Sequence, residues 1–198
     1  MFKRTKGYLL LTMLVLTGLA GRLHTDTLSG RERRNLLQEL KHSKSLFTES
    51  ISGLSKKQLS YRKHKGQLSI RDYVYRAVNS EHELWTKVQF ALAQPGALQK
   101  DMQADDNLPF LTIQEGQKMN GENSFKFKNL DEALDLFKKD IADQLKYVRT
   151  TTENVRVHSN NTAFGKLDAY QMMMMNALCL KYFTGQIEDL KSSPAFPS

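Results

Sequence analysis

The residue types best suited to chemistry are few in this chain, and they do not group. Cys179 is the single cysteine, which excludes an internal disulfide and a cysteine-rich zinc site. Glu81 and His82 are neighbours on a predicted helix, where consecutive side chains point about 100° apart and do not converge. No nucleophile lies beside a general base, so the pattern predicts no catalytic residues. The histidines are scattered along the sequence: His24, His42, His64, His82 and His158.

The first 22 residues have the order of a bacterial secretory signal. Three basic residues precede an apolar run of about fourteen residues, from Tyr8 to Gly21, which ends in small side chains. This run is shorter than the roughly 20 residues that a membrane-spanning helix needs. We therefore expect a signal peptide over 1–22, no membrane span after its cleavage, and a periplasmic or extracellular protein. An uncleaved N-terminal anchor is the alternative.

Residues 28–198 are predicted to form one all-α domain. Ser29 and Ser69 each begin a capping-box pattern, and Asn129 precedes a third apolar stripe of helical period. Helices with such stripes bury them against each other, and an up-and-down four-helix bundle with one or two longer crossings is the simplest arrangement. No segment alternates long enough to predict a strand. The predicted helices cover about 30–52, 69–94, 129–150 and 166–191.

The predicted connection between the second and third helices, residues 95–128, is rich in turn formers. A loop of that length is uncommon inside a domain and often lies near a functional opening. The four consecutive methionines, Met172 to Met175, are better explained by core packing than by a binding surface.

Several motifs, taken in their order and spacing, resemble the DinB-like (DinB/YfiT) superfamily over nearly all of the mature chain. The stretches that carry the resemblance are GLSKKQL at 53–59, LSIRD at 68–72 followed by Glu81, LDAYQ at 167–171, QIE at 186–188 and PAFP at 194–197. The resemblance implies a four-helix bundle that holds a divalent metal through three histidines. One histidine lies on the second helix and two lie four residues apart on the last.

In this chain the three corresponding positions are occupied by Arg76, Cys179 and Phe183. A phenyl ring offers no lone pair, a guanidinium stays protonated, and one thiolate alone does not make a metal site. We therefore predict no metal and no cofactor.

Arg76 is the residue of greatest interest in the altered site, because a buried guanidinium needs partners. The candidate pocket consists of Arg76, Cys179 and Phe183, with Glu81 and Asp168 as possible partners of the arginine, and a small anionic ligand is another partner. A structural ion pair, or a side chain that reaches solvent, is the alternative.

The net charge of +8 includes three charges of the leader, and the rest is spread along the chain. The one tight basic cluster, formed by Arg31, Arg33 and Arg34, fits a solvated helix start, so we expect no nucleic-acid partner. Three functions stay open: a non-catalytic protein that binds a small molecule in the former metal pocket, a thiol transferase or hydrolase of the DinB type with altered ligands, and a scaffold that forms a homodimer.

Overall fold

The structure is a computed structural model that describes residues 28–97, 102–112 and 127–198. These residues are mostly helical, as predicted, and include one small antiparallel sheet. Short 3₁₀ turns lie at Asp105–Asn107 and Val155–Val157, and residues 108–112 are also helical. The main elements are α1 (Gly30–Ile51), α2 (Lys56–Leu59), α3 (Ile70–Leu92), α4 (Leu130–Thr150), β1 (Ser159–Thr162), β2 (Gly165–Asp168) and α5 (Ala169–Lys191).

Three of the four predicted helix starts are confirmed by their caps. The Ser29 hydroxyl accepts a hydrogen bond from the Glu32 amide at 3.2 Å, and the Glu32 carboxylate accepts one from the Ser29 amide at 3.1 Å. Ser69 and Asp72 form the same reciprocal pair at α3. Asn129 caps α4 through its side-chain oxygen. Each cap satisfies backbone donors that the first helical turn leaves without partners.

The long helices pack in a closed ring of neighbours. α5 lies against α1 and α3, and α4 lies against the same two helices from the other side. Phe47 of α1 and Phe137 of α4 make an edge-to-face contact, with ring centroids 5.0 Å apart. The four methionines of α5 are all buried, which confirms that they belong to the core.

Side-chain contacts set the direction of each helix. Arg33, near the start of α1, donates to the Thr151 carbonyl after α4 at 2.7 Å, so α1 and α4 are antiparallel. α1 and α5 run in the same direction, because Asn35 hydrogen-bonds Tyr170 near their starts and Lys191 donates to the Ser50 carbonyl near their ends.

α3 and α4 also run in the same direction. His82 contacts Asp140, and three residues further along α3 the Trp85 ring packs on the Tyr147 ring. Because α3 and α4 are consecutive long helices and run in the same direction, these contacts do not give the strictly alternating helix directions of an up-and-down bundle. α4 therefore begins at the end of the bundle at which α3 began.

A β-hairpin precedes α5, and the prediction that no strand forms is wrong here. β1 and β2 pair antiparallel over four residues each, which is too short for an alternating pattern to be recognised. Gly165 supplies the positive φ of +95° at the turn, and the Thr162 hydroxyl closes it by donating to the Gly165 carbonyl at 2.8 Å. The hairpin takes residues 165–168, which explains why α5 begins at 169 rather than at 166.

Within the described ranges, none of the helices is long and apolar enough to cross a membrane. The predicted signal peptide, His24 and much of the 95–128 connection lie outside the described residues.

Candidate functional site

The three positions that the sequence resemblance aligned with metal-binding histidines are all buried. Arg76 is 3% exposed, Cys179 is 5% exposed and Phe183 is 1% exposed. Ser80 of α3 hydrogen-bonds Cys179 of α5. Arg76 lies one turn before Ser80 on α3, and Phe183 lies one turn after Cys179 on α5. Because the two helices are antiparallel, Arg76 and Phe183 are at the same level of the bundle.

Cys179 is poorly suited to act as a ligand or a nucleophile. Burial raises the pKa of its thiol to about 12, and the hydrogen bond with Ser80 opposes this only in part. Since the thiolate is the form that binds metals and attacks electrophiles, Cys179 stays a neutral thiol in the core at ordinary pH.

Arg76 lies close to Tyr73, one turn earlier on α3. Burial raises the pKa of the Tyr73 hydroxyl, the nearby Tyr182 and Asp189 raise it further, and the positive charge of Arg76 opposes them. Arg76 therefore lies on the side of α3 that faces the second half of α5.

The two carboxylates predicted as partners of Arg76 have other partners. Asp168 lies fifteen residues before Phe183 on α5, which is about 22 Å along the helix, so it is too far from Arg76. Glu81 hydrogen-bonds Gln144 of α4, and Asp140 of α4 is the charged group that acts on it. Both pairings with Arg76 are wrong, because α3 presents Arg76 and Glu81 to different neighbours.

A cleft of about 410 Å³ opens beside this region. It lies between the loop before α3, the first turn of α3 and the last turns of α5. Tyr73 belongs both to its wall and to the surroundings of Arg76, and Lys63 and Asp189 give it one charge of each sign. The residues that line it are Lys63, Gly66, Gln67, Leu68, Tyr73, Gln186, Asp189 and Leu190.

A buried polar chain joins the middles of α3, α4 and α5. Asn176 donates from its Nδ2 to the Gln144 Oε1 at 3.1 Å, and Gln144 donates in turn to the Glu81 Oε1. All three side chains are fully buried. The sequence pattern did not indicate Gln144 or Asn176, because each is a polar residue inside an otherwise apolar stripe.

The surroundings of Glu81 favour the protonated form of its carboxyl. Burial raises the pKa of its carboxyl well above the usual range, the Asp140 charge raises it further, and the Gln144 hydrogen bond opposes both. Glu81 Oε2 and Asn176 Oδ1 have no hydrogen-bond partner among the described residues. When the Glu81 carboxyl is protonated, it becomes a hydrogen-bond donor. The same cluster contains the Asn176 Oδ1 acceptor without a donor, so protonation lowers the free-energy cost of burying Glu81 and Asn176 together.

Asp140 links this region to the surface. Its side chain is 3% exposed, and its Oδ2 lies 2.6 Å from Nδ1 of His82, which is half exposed. Asp140 lies one turn before Gln144 on α4, and Gln144 is the residue that donates to Glu81.

Arg156 is the interaction centre that sequence reasoning missed. Its guanidinium bonds three carboxylates from three separate parts of the chain: Glu32 at 2.9 Å, Asp105 at 2.8 Å and Asp168 at 3.0 Å. It also lies 3.9 Å from the centre of the Tyr170 ring. This bidentate, stacked geometry suits arginine and not lysine.

The three carboxylates around Arg156 differ in ionisation. Burial acts to raise the pKa of Glu32 and of Asp105, but their hydrogen bonds, including those from Arg156, bring both below the ordinary value. For the more deeply buried Asp168, burial raises the pKa to about 6, although Arg156 opposes it. The cluster therefore ties α1, the 103–107 segment and the start of α5 together, and holds a proton on Asp168 below about pH 6.

In the part of the chain that the structure describes, no group of three or more histidine, cysteine, aspartate or glutamate side chains is arranged to hold a metal ion. No protein-family model, curated protein sequence or solved structure matches the chain.

We predict that the free energy of unfolding of Glu81→Gln increases relative to that of wild type as the pH rises. The proton on Glu81 contributes stability that is fully present below about pH 4.5 and is lost as the pH rises through the raised pKa of the folded state. Glutamine keeps the neutral shape, so the stability of the variant relative to wild type grows by up to about 1.4 kcal/mol per pH unit in that window. Urea unfolding at pH 5 to 8 measures the difference.

Glu83→Gln, an exposed change two residues further along α3, is the matched control and shows no such trend. Parallel curves for Glu81→Gln and wild type would show that Glu81 is ionised.

We predict that Arg156→Ala lowers the free energy of unfolding by about 2–3 kcal/mol at pH 8, because it leaves the buried Asp168 without its counter-charge. The loss is smaller at pH 5, where Asp168 carries a proton. Arg156→Lys restores only part of it. Arg31→Ala, at an exposed position, changes the value by less than about 0.5 kcal/mol. Equal losses for Arg156→Ala and Arg31→Ala in urea unfolding would contradict this role.

Proposed function

We propose that the chain is an exported DinB-like four-helix-bundle protein that binds a small polar ligand and performs no metal-dependent chemistry. The observation that supports it most is the cleft of about 410 Å³ whose wall includes Tyr73, the neighbour of Arg76. Its volume falls within the range of small-molecule sites. The positions that would hold a metal in the family carry a guanidinium, a neutral thiol and a phenyl ring.

The ligand proposed for the cleft is a small molecule with a carboxylate or phosphate group. Lys63 is the basic residue of the wall, Arg76 adds positive charge behind Tyr73, and Gln67 and Gln186 offer amide donors and acceptors. Asp189 suits a second, donor-bearing part of the ligand. In this proposal the binding site lies beside the former metal position rather than in it, since the metal position itself is filled by side chains.

The enzymatic alternative is less well supported. A DinB-type thiol transferase or hydrolase requires its metal ligands, and the one residue of the three that could ligate, Cys179, has a pKa raised to about 12 by burial.

The resemblance to the DinB-like family has its own test. We predict that the triple substitution Arg76→His, Cys179→His and Phe183→His creates a site that binds zinc or nickel at one ion per chain. Two of the new imidazoles share one face of α5, and the third lies level with them on α3. Isothermal titration measures the binding, and the double variant Cys179→His, Phe183→His binds at least tenfold more weakly. A triple variant with a helical circular dichroism spectrum and no metal binding would contradict the correspondence of the three positions.

The ligand proposal is tested at Lys63. A thermal-shift screen with small carboxylates and phosphates identifies a stabilising compound, and we predict that Lys63→Glu weakens its binding by about tenfold or more, because it replaces an attractive charge with a repulsive one. Lys65→Glu is the matched control, since Lys65 is an exposed lysine of the same loop that does not line the cleft. Equal weakening by both variants, or no stabilising compound in the screen, would contradict the proposal.

A further inference from the structure

A strip of basic side chains follows the outer face of α1 where it lies beside α4. Arg34, Lys41 and Lys44 recur at intervals of seven and three residues, so they share one face of α1. Arg149 of α4 joins them, because it lines the same hollow as Lys41 and Lys44. These four residues are called the α1–α4 basic face.

Two adjoining shallow hollows of about 440 and 570 Å³ lie along this face, and Lys41 lines both. Leu145 and Leu37 form apolar parts of their floors. Glu49 is the one acidic residue that lines either hollow, and its carboxylate accepts a hydrogen bond from Ser45 at 2.6 Å. The full linings are Lys41, Lys44, Ser45, Thr48, Glu49, Leu145 and Arg149 for one, and Arg34, Leu37, Gln38, Lys41 and His42 for the other.

Within residues 28–97, 102–112 and 127–198, the charges of this face have no acidic partner. Among the described residues, none of the four basic side chains forms an ion pair, whereas Lys87, Lys138 and Lys191 each have an acidic partner within 4 Å on their own helix. Four cations on one strip repel each other unless an anion from outside the chain lies against them.

The shape of the face favours a surface as its partner over an enclosed ligand. From Arg34 to Thr48 the strip is about 21 Å long, at 1.5 Å per residue, and both hollows are shallow. In the described part of the chain, neither hollow is lined by phenylalanine, tyrosine or tryptophan, the side chains on which single-stranded nucleic acids stack their bases. Basic residues with apolar side chains between them suit the headgroup layer of a membrane.

We propose that the α1–α4 basic face docks the folded domain on a bilayer rich in phosphate-bearing anionic lipids, with α1 lying along the membrane surface. Lys41, at the junction of the two hollows, lies at the centre of this contact. The Arg34, Lys44 and Arg149 side chains reach neighbouring headgroups. The inference is independent of the ligand cleft, since it uses different helices and different residues.

The test is sedimentation of the exported protein with vesicles of phosphatidylglycerol mixed into phosphatidylcholine, or of phosphatidylcholine alone. We expect binding to rise with phosphatidylglycerol content and to fall with added salt. Lys41→Glu combined with Lys44→Glu reduces that binding by about tenfold or more, because each basic side chain near an anionic surface adds to the affinity. Lys56→Glu combined with Lys57→Glu makes the same change of net charge on exposed residues of α2 and leaves binding close to wild type.

Equal behaviour of the two double variants would overturn the proposal, whether both lose binding or both retain it. Loss of vesicle binding in millimolar inorganic phosphate would also overturn the proposal and would indicate that the face binds free phosphate. Tighter binding to single-stranded DNA than to the vesicles would overturn it as well and would indicate that the face binds a nucleic acid.

Discussion

The structure depends on one constraint, the burial of α5 on nearly every side. Fifteen of its 23 residues are buried, against five of 22 in α1, so α5 is the most deeply buried of the long helices. A polar group that faces α5 must find its partner inside the protein, because a buried group without one costs free energy. The Asn176–Gln144–Glu81 chain and the bonds of Arg156 to Asp168 are two of the places where this requirement is met.

The same constraint decides which groups are charged. Among the described residues, the groups that act on Glu81 are the Gln144 amide and the Asp140 carboxylate, so burial favours the protonated form of Glu81. Asp168 has Arg156, but Arg156 is shared with Glu32 and Asp105, and the most buried of the three carboxylates has the highest pKa. Cys179 is neutral for the same reason. At Cys179 the core therefore holds a proton on a thiol that would have to be ionised to bind a metal.

Much of this could be read from the sequence where the signal is local. The capping pairs at Ser29 and Ser69 predicted two helix starts, and the apolar character of the last helix predicted a buried Cys179. The partners of Glu81 and Asp168 were not readable, because they depend on which helices are neighbours and in which direction each one runs. Arg156 lies in a polar segment without periodicity, and nothing in its sequence context distinguishes it from a solvated arginine.

The ring order of the helices also determines how the two proposed surfaces relate. α3 and α5 form one edge of the ring, and they contribute Tyr73, Gln186 and Asp189 to the cleft. α1 and α4 form the opposite edge and carry the basic face. A bilayer against the basic face would therefore leave the cleft open to solvent on the far side. Membrane docking and ligand binding are compatible in this arrangement, and neither needs a change in how the helices pack.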